Sequence, residues 1–425
     1  MKYLLTLISA LLLFASCSKD STFDPPSVPT ERTVLIYMSG ENNLTEYGNF
    51  RALHYDLQEI IEGSKSLPAN QRLLVYVDSL NTNIQRAGNP YIMEVRGGKA
   101  AIIKRFDSDF YSCDPARFHE ILEWSYQYAP ADSYGLVLWG HANGWIVMKD
   151  SIPETSASRG TRSYGQDNGT DTGQGIKHMN ITQMARALKG LPKLDFIFAD
   201  CCNIMCAEVA YELKDATRYL IGSPAEISTA GAPYDLITPE LFGSAPYSDI
   251  AETYYDFYME FNRPVSSLNG FSVPVSVINT QYMGELAEAT RDILGKLTTP
   301  IPTYPGSLKP SDQGIAYYYR YDQAIMYDMR AFVKLNTSSE DFQAWDRIYQ
   351  LAVPYYQMSM RWDTNSNTLK MVDFYTFNQD QSLYGCVSMF IPLTSYEGSD
   401  LKYNQTFKNF AWNRVLNWER FGWTE

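Results

Sequence analysis

The chain has 425 residues, with 48 acidic and 35 basic side chains and a formal net charge of −13. This length is enough for one large domain or two smaller ones, and the acidity argues against nucleic acid or an anionic membrane surface as a partner. Six sparse cysteines do not form a disulfide framework, and no pair of C-x-x-C motifs predicts structural zinc.

The N-terminus predicts export. Residues 1–16 combine an early lysine, a short apolar run and small residues before Cys17, as a signal peptide does. Phe14-Ala-Ser-Cys17 resembles a bacterial lipobox, so we expect Cys17 to be lipidated and to anchor the chain at the cell envelope, on the outer membrane or the cell surface. An ordinary signal peptide cleaved nearby is the alternative. Residues 17–31 are rich in proline and polar residues, which predicts an extended tether.

Residues 32–298 alternate short apolar runs with amphipathic segments. This pattern is typical of an α/β fold with a mostly parallel sheet covered by helices on both faces. Residues 150–180 lack periodicity and predict an exposed loop. The predicted strands are 33–38, 72–77, 91–95, 101–105, 134–139, 194–202 and 219–223, and the predicted helices are 43–61, 115–128, 182–188 and 205–214.

The C-terminal part predicts an α+β extension. Pro300-Ile-Pro-Thr-Tyr-Pro305 is the clearest linker, and it separates a domain over 32–298 from an aromatic-rich subdomain over 299–425 that packs on it. The predicted helices are 248–261, 282–297 and 341–357, and the predicted strands are 273–278 and 386–391.

Two buried strands end in reactive side chains. One ends in Gly140-His141 and the other in Asp200-Cys201-Cys202. Ligands bind outside the carboxyl ends of strands in such sheets, and a thiol beside an imidazole is the basis of a cysteine nucleophile. Alternation along the strand puts Asp200 and Cys202 on one side and Cys201 on the other, which favours Cys202 only weakly. Backbone amides of Cys202 and of the loop after Gly140 are candidate oxyanion donors.

Five segments resemble clostripain-like cysteine peptidases (peptidase family C11, in the clan of caspases and gingipains). The segment 135–145 is similar to the family's histidine motif, and 198–212 is similar to its nucleophile motif, in register with Glu208-Val-Ala-Tyr-Glu212. The opening strand 34–44, the segment 222–226 and the late segment 384–392 also resemble family signatures. The resemblance runs from about residue 33 almost to the C-terminus.

The resemblance implies a caspase-like α/β/α sandwich and an exported endopeptidase with a His141/Cys202 dyad. It implies oxyanion stabilisation by the amides of Ala142 and Cys202, and a specificity pocket containing Asp200 and Glu226 that favours cleavage after Arg or Lys. The segment after Glu226 has no further acidic residue where the family's second pocket wall is expected. Gly140 stands directly before His141, at a position where family members commonly have Asp.

The resemblance also bears on regulation. Family members are often activated by cleavage in the loop after the histidine, and Lys149, Arg159 and Arg162 lie in that loop here. Some members need calcium; residues 167–171 are rich in oxygen ligands, but they lack the full spacing of a calcium loop, so an exposed turn is the favoured interpretation. We assign no metal ligand and no required cofactor.

Two functions remain open. The favoured one is a peptidase acting on peptide or protein substrates, with membrane contact only through its N-terminal lipid and with no nucleic acid. The alternative is a surface lipoprotein that keeps the fold and binds peptide or glycan without catalysis.

Overall fold

The structure is a computed structural model. It describes residues 23, 28–45, 50–81, 86–147, 164–169, 175–297, 310–311, 313–320, 323–364, 371–373, 377, 380–396 and 402–418. The strands are β1 (Arg32–Gly40), β2 (Gln71–Asn81), β3 (Arg86–Ala87), β4 (Tyr91–Arg96), β5 (Lys99–Arg105), β6 (Ser133–Trp139), β7 (Tyr164–Asp167), β8 (Lys177–Met179), β9 (Leu194–Asp200), β10 (Thr217–Gly222), β11 (Val275–Asn279), β12 (Tyr317–Arg320), β13 (Ala324–Asp328), β14 (Tyr355–Gln357), β15 (Arg361–Asp363), β16 (Met371–Asp373) and β17 (Ser388–Met389).

Helices cover this scaffold, and their ends follow local sequence signals. Helix α2 begins at the predicted cap: the Asp114 side chain accepts hydrogen bonds from the amides of Ala116 and Arg117, and Pro115 occupies the first turn. The helices are α1 (Ala52–Gly63), α2 (Pro115–Tyr128), α3 (Ile181–Ala187), α4 (Ala207–Leu213), α5 (Tyr234–Glu240), α6 (Ser248–Asn262), α7 (Met283–Leu294), α8 (Met329–Asn336), α9 (Ser339–Ala352), α10 (Tyr403–Phe407) and α11 (Ala411–Leu416).

One large sheet organises the molecule. Its strand order is β14-β11-β10-β9-β6-β1-β2-β4-β5, with β3 paired to β2. The five central strands, β10 to β2, run parallel, and the outer pairs are antiparallel. Strand β1 is buried at every residue after Arg32, as expected for a central strand with both faces covered.

Each face of the sheet carries its own core. Along β1, Leu35 and Tyr37 face a core that includes residues of α2, α3, α4 and α7, whereas Ile36 and Met38 face a core built with α1, α5 and α6. The predicted α/β/α sandwich with a mostly parallel sheet is therefore confirmed.

The C-terminal residues are continuous with this scaffold. Strand β14 pairs with β11 at the edge of the main sheet, and β12, β13 and β17 form a small antiparallel sheet of their own. The Phe390 amide donates to Glu208 Oε1 at 2.8 Å, and the Trp145 ring packs against Phe390 at a centroid distance of 4.7 Å. Contacts therefore run across the domain boundary predicted near residue 299, which itself remains a prediction.

Three predicted elements are wrong in extent. The helix predicted over 43–61 begins only at Ala52, and residues 41–45 form a turn in which Asn42 Oδ1 accepts from the Leu44 amide. The strand predicted over 386–391 is reduced to β17, since Cys386 has a φ of +56°. The helix predicted over 341–357 ends at Ala352, ahead of Pro354, and residues 355–357 form β14 instead.

The prediction of an exposed loop over 150–180 is also wrong for part of that segment. Strands β7 and β8 form a small antiparallel pair, and all of β7 is buried. Tyr164 is fully buried, and its backbone bridges to Ala142. A short, largely polar segment can be buried in this way when neighbouring loops satisfy its hydrogen bonds, which periodicity does not reveal.

Candidate active site

The predicted imidazole and thiol follow the ends of two adjacent strands. Strands β6 and β9 pair in parallel, with Trp139 opposite Asp200. Two residues beyond this pair, the two chain segments reach His141 and Cys202, both of which are half-buried. The structure therefore places both residues just beyond the ends of neighbouring strands, on the carboxyl edge of the sheet, where ligands bind in parallel sheets.

Cys202 is the described cysteine with access to solvent. None of the five described cysteines forms a disulfide, and the other four are buried. The Cys201 side chain joins the core on one face of the sheet, whereas Asp200 points to the other, as alternation predicts. Burial raises the pKa of the Cys201 thiol well above its usual value, as it does for Cys206 and Cys386. A buried, protonated thiol is a poor nucleophile, so Cys202 is the thiol best suited to react.

A side chain that the sequence did not single out orients His141. His141 Nε2 lies 2.7 Å from Asn43 Oδ1. An amide oxygen can only accept, so Nε2 carries the hydrogen and Nδ1 is the basic nitrogen of the neutral ring. Asn43 belongs to the turn after β1, which the Asn42 side chain fixes by donating to the Ser39 and Gln166 carbonyls. Because 43–61 was predicted as a helix, Asn43 had no expected role.

The loops that carry His141 and Cys202 pack closely against each other. Gly144 has a φ of +57°, and a Cβ at this position would lie 2.5 Å from the Asn203 carbonyl oxygen. Asn203 itself has a φ of +58°, and its side chain donates to the Pro224 carbonyl at 2.9 Å. Only glycine fits at 144, because every other residue adds both strain and a clash.

The turn after Cys202 is longer than predicted. Helix α4 begins at Ala207 with Cys206 as its N-cap, so Cys202 does not lie at a helix N-terminus and Cys206 does not lie within the helix. Residues 201–206 instead form a turn in which the Asn203 amide donates to the Ala225 carbonyl. The amides of Ala142 and Cys202 remain predicted oxyanion donors.

Comparison with known proteins decides the family. The sequence profile of the clostripain family, peptidase family C11, matches residues 36–423. The chain belongs to this family. It is therefore a cysteine peptidase, as the histidine and nucleophile motifs predicted.

Solved structures support the same conclusion. A secreted C11 cysteine protease from Bacteroides thetaiotaomicron, in complex with an irreversible peptide inhibitor, is 28% identical, with a TM-score of 0.73 over 92% of this chain and 99% of that chain. An inactive zymogen C11 protease from Parabacteroides distasonis is 24% identical and shares the fold, with a TM-score of 0.71 over 92% of this chain and 99% of that chain. No curated protein matches the chain.

In this clostripain-family chain, Asp200, two residues before Cys202, is buried among hydrogen-bond donors. Its Oδ2 accepts from the Tyr234 hydroxyl at 3.0 Å and from the Ala232 amide at 3.1 Å, and its Oδ1 accepts from the Tyr254 hydroxyl at 3.0 Å. Burial raises the pKa of Asp200 despite these donors. All three donors are neutral, so none of them balances a carboxylate charge.

A second buried carboxylate lies beside Asp200. Asp56 of α1 is 1% exposed and accepts from Trp139 Nε1 at 2.6 Å. A Cβ on Gly231 would lie 3.0 Å from Asp56 Oδ2 and 3.1 Å from Asp200 Oδ2, so the two oxygens are no further apart than the sum of those distances. Burial, and then repulsion from Asp200, raise the pKa of Asp56. No sequence motif marked Asp56, because it lies on an ordinary amphipathic helix.

Glu59 lies close to Asp200, and Glu226 lies close to Cys202. Glu59 Oε2 accepts from the Tyr234 amide at 3.1 Å, and burial, together with repulsion from Asp235, raises the pKa of Glu59 to about 7. Glu226, the predicted pocket residue, is half-buried, and its amide donates to the Asp363 carbonyl. The next amide, of Ile227, donates to Cys202 Sγ at 3.4 Å, so Glu226 lies close to the thiol and its role remains a prediction.

The residues best placed to hold a metal ion are three other carboxylates. Among the described residues, Glu41, Asp78 and Asp167 are grouped so that one ligand oxygen from each lies within 4.8 Å of the others. Asp167 belongs to the segment 167–171 for which calcium was weighed and an exposed turn was favoured. It is fully buried instead.

Several predicted features lie outside the described residues. These are the signal peptide, the lipidated Cys17, most of the tether, and the loop positions Lys149, Arg159 and Arg162. Among the residues that are described, no helix combines the length and apolar character needed to cross a membrane.

Proposed function

We propose that the protein is an exported cysteine endopeptidase in which His141 and Cys202 form the catalytic dyad. The observation that carries this proposal is the parallel pairing of β6 and β9, which brings a half-buried imidazole and the one described solvent-accessible thiol to adjacent strand ends. Membership of the clostripain family supplies the reaction class.

The dyad performs acyl transfer in two steps. Nδ1 of His141 takes the proton from the Cys202 thiol, and the thiolate forms a bond to the scissile carbonyl carbon. The carbonyl electrons move to oxygen, where the amides of Ala142 and Cys202 stabilise the oxyanion. Collapse breaks the C–N bond, the imidazolium returns its proton to the leaving amine, and water activated by His141 hydrolyses the thioester.

Asn43 is a positioning residue in this mechanism. Its amide oxygen holds Nε2–H, which keeps Nδ1 unprotonated in the resting state and fixes the plane of the ring. It also stabilises the imidazolium formed during attack, since an acceptor at Nε2 interacts more strongly with the charged ring.

We further propose that the enzyme cleaves after Arg or Lys, and that Asp56 and Asp200 together recognise that side chain. Both carboxylates are buried, and neither pKa is lowered by a nearby basic residue. Buried carboxylates are costly unless they are paired with a cation. A substrate guanidinium or ammonium group supplies the missing charge, and Asp56 takes the place of the acid absent from the segment after Glu226.

The dyad is tested with fluorogenic peptides that carry Arg or Lys before the scissile bond. Wild-type protein is expected to cleave them, His141→Ala and Cys202→Ala are expected to lose at least about a thousandfold in kcat/KM, and Cys201→Ala is expected to retain activity. Loss of activity in Cys201→Ala with a folded protein and retention in Cys202→Ala would reverse the assignment. Absence of cleavage by wild-type protein under all conditions would favour the binding lipoprotein.

Export, anchoring and activation complete the proposal. The signal peptide with Cys17 supports export as a lipoprotein, and a structural neighbour is described as secreted. Cys17→Ala is expected to release the protein from the membrane fraction into the soluble fraction. Self-cleavage near Lys149, Arg159 or Arg162 is expected to convert purified wild-type protein, but not Cys202→Ala, into two chains on a denaturing gel.

A further inference from the structure

The chain enters the fold at the amino edge of the sheet, where the parallel strands begin. Strand β1 starts at Arg32, and the residues before it are held by those that precede β2 and β6. The Glu31 amide donates to the Asn70 carbonyl at 2.8 Å, and the Asp132 amide donates to the Thr30 carbonyl at 3.2 Å. The end of the tether is therefore fixed on this edge.

The candidate dyad lies at the opposite edge. In the parallel pair of β1 and β6, Arg32 lies opposite Ser133, and the chain runs from there to His141 beyond the far end of β6. Eight residues separate Ser133 from His141, so the entry point and the dyad are roughly 26 Å apart at the usual rise of a strand.

An earlier residue of the tether docks on the same amino edge. Phe23 is half-buried, and the guanidinium carbon of Arg96 lies 5.0 Å from the centroid of its ring. Arg96 ends β4, which runs antiparallel to β2, so it lies beside the start of β2. A guanidinium group over an aromatic face is attracted by the ring, which makes Phe23 a second point of attachment for the tether.

Glu94 holds Arg96 ready for this contact. Glu94 is 1% exposed; its Oε1 accepts from Arg96 Nη2 at 2.7 Å, and its Oε2 accepts from Arg72 Nη2 at 3.0 Å. The guanidinium carbon of Arg72 in turn lies 4.8 Å from the centroid of the Tyr128 ring. Because Arg96 is already ordered by a buried carboxylate, Phe23 packs on it at a smaller cost in side-chain entropy.

We propose that the docked tether turns the amino edge of the sheet toward the bilayer and points the dyad away from it. The enzyme then acts on polypeptides that arrive from the surrounding solution, and not on chains at the surface of its own membrane. The orientation rests on the proposed lipidation of Cys17, and its consequence for substrates rests on the proposed peptidase activity.

The length of free chain decides the orientation. Six residues separate Cys17 from Phe23, and they span at most about 20–22 Å when fully extended. Pointing the dyad at the bilayer lifts the amino edge at least roughly 26 Å above it, which a tether docked at Phe23 does not reach. Without that contact the next fixed residue is Thr30, and the thirteen residues from Cys17 span up to about 43–47 Å. The contact between Phe23 and Arg96 is therefore what excludes the inverted orientation.

The orientation is tested by fluorescence energy transfer on the lipidated chain in phosphatidylcholine vesicles that contain an acceptor lipid. The background substitution Cys202→Ala removes the one described solvent-accessible thiol. A donor dye is attached through Asp215→Cys, just before β10 at the amino edge, or through Ala230→Cys, in the exposed turn beside the dyad. We expect transfer from position 215 to be at least twofold more efficient than transfer from position 230.

Two variants test whether the Phe23 contact causes this difference. Phe23→Ala and Arg96→Gln are each expected to lower the ratio of the two transfer efficiencies toward one, because the longer free segment lets the domain turn over. Arg105→Gln is the matched control. Arg105 lies at the other end of the same hairpin, over the ring of Tyr91 at 5.9 Å, and its substitution is expected to leave the ratio unchanged.

Three results would overturn the inference. The first is membrane-bound protein in which transfer from position 230 equals or exceeds transfer from position 215. The second is a ratio that neither Phe23→Ala nor Arg96→Gln changes. The third is a chain recovered only in the soluble fraction, since the tether then carries no lipid.

Peptide cleavage tests the consequence for substrates separately. Vesicle-bound wild-type protein is expected to cleave a basic peptide held by a short linker on a vesicle lipid at least tenfold more slowly than the same peptide free in solution. Phe23→Ala is expected to narrow that difference. Equal rates for the two substrates in wild-type protein reject the consequence. Failure to cleave either substrate rejects the proposed peptidase function and leaves the energy-transfer measurements unaffected.

Discussion

The substitution Asp56→Asn tests whether a residue of α1 determines substrate preference. Asparagine keeps the size of the side chain and still accepts the hydrogen bond from Trp139 Nε1, but it removes the charge. We expect cleavage after Arg and Lys to fall while cleavage after an uncharged residue does not. The fold is expected to be as stable as in wild-type protein, since the substitution removes repulsion between Asp56 and Asp200.

The size of the effect follows from the geometry of the pair. Asp56 Oδ2 and Asp200 Oδ2 lie 3.0 and 3.1 Å from the point that a Cβ on Gly231 would occupy. A cation about 4 Å from a carboxylate gains about 4 kcal/mol at an effective dielectric constant of about 20. Desolvation of the cation offsets roughly half of that, so we expect a loss of about 2 kcal/mol, which is about thirtyfold in kcat/KM.

The assay compares matched fluorogenic peptides that differ only in the residue before the scissile bond, with Arg, Lys and Gln in turn. The measured quantity is the ratio of kcat/KM for Arg to that for Gln, which cancels differences in active-enzyme concentration. Glu226→Gln serves as the matched comparison, because Glu226 is the acid that sequence resemblance placed in the pocket. If Glu226→Gln lowers the ratio about thirtyfold and Asp56→Asn leaves it unchanged, the argument from buried charge is refuted.

Three further predictions concern the supporting structure. Asn43→Ala is expected to lower kcat about 10–100-fold with little change in KM, and an unchanged kcat in stopped-flow cleavage would remove Asn43 from the mechanism. Gly144→Ala is expected to lower the free energy of unfolding by about 2 kcal/mol in urea titrations. The control Gly97→Ala, at a φ of +56° with open space around it, measures the backbone strain alone. Equal losses of stability in both variants would show that the clash with Asn203 is absent. Several buried or half-buried carboxyls have a folded-state pKa above the unfolded value, so the stability they contribute is complete below pH 4 and is lost as pH rises through 7. The protein is therefore expected to melt lower at pH 8 than at pH 6, and the opposite order in calorimetry would contradict these shifts. The carboxyls with pKa raised to about 7 are Glu59, Asp167, Glu208 and Glu240.

The sequence was sufficient to predict those parts of the site that depend on the pattern of a single strand. The apolar runs of β6 and β9 predicted two buried strands, and their last residues placed His141 and Cys202 at the same edge of the sheet. Strict alternation along β9 also separated Asp200 from Cys201 correctly, since side chains of a strand alternate between faces.

The sequence was insufficient where a site draws single residues from distant elements. Asn43 was assigned to a helix because Leu44 and Leu53 fit helical spacing, whereas the turn around Asn42 depends on hydrogen bonds to Gln166, far along the chain. Asp56 is one polar position on an amphipathic helix, and only tertiary contacts, such as its hydrogen bond from Trp139 at the end of β6, bring it close to Asp200. Such pairings are tertiary and leave no local pattern.

The three buried carboxylates best placed to hold a metal ion illustrate the same limit. Asp167 was considered for calcium within its own turn, because a calcium loop in sequence presents its ligands at fixed local spacing. The structure instead gathers Glu41, Asp78 and Asp167 from three elements, and β7 is buried although its sequence suggested an exposed loop.

The central claim is that Cys202, activated by His141, attacks the substrate carbonyl. The most direct measurement is peptide mapping by mass spectrometry after treatment with an acyloxymethyl ketone probe that carries a basic residue. We expect one probe per chain, attached to Cys202, with no adduct in Cys202→Ala and greatly slowed labelling in His141→Ala. An adduct on Cys201 or any other residue in wild-type protein, with Cys202 unmodified, would contradict the account.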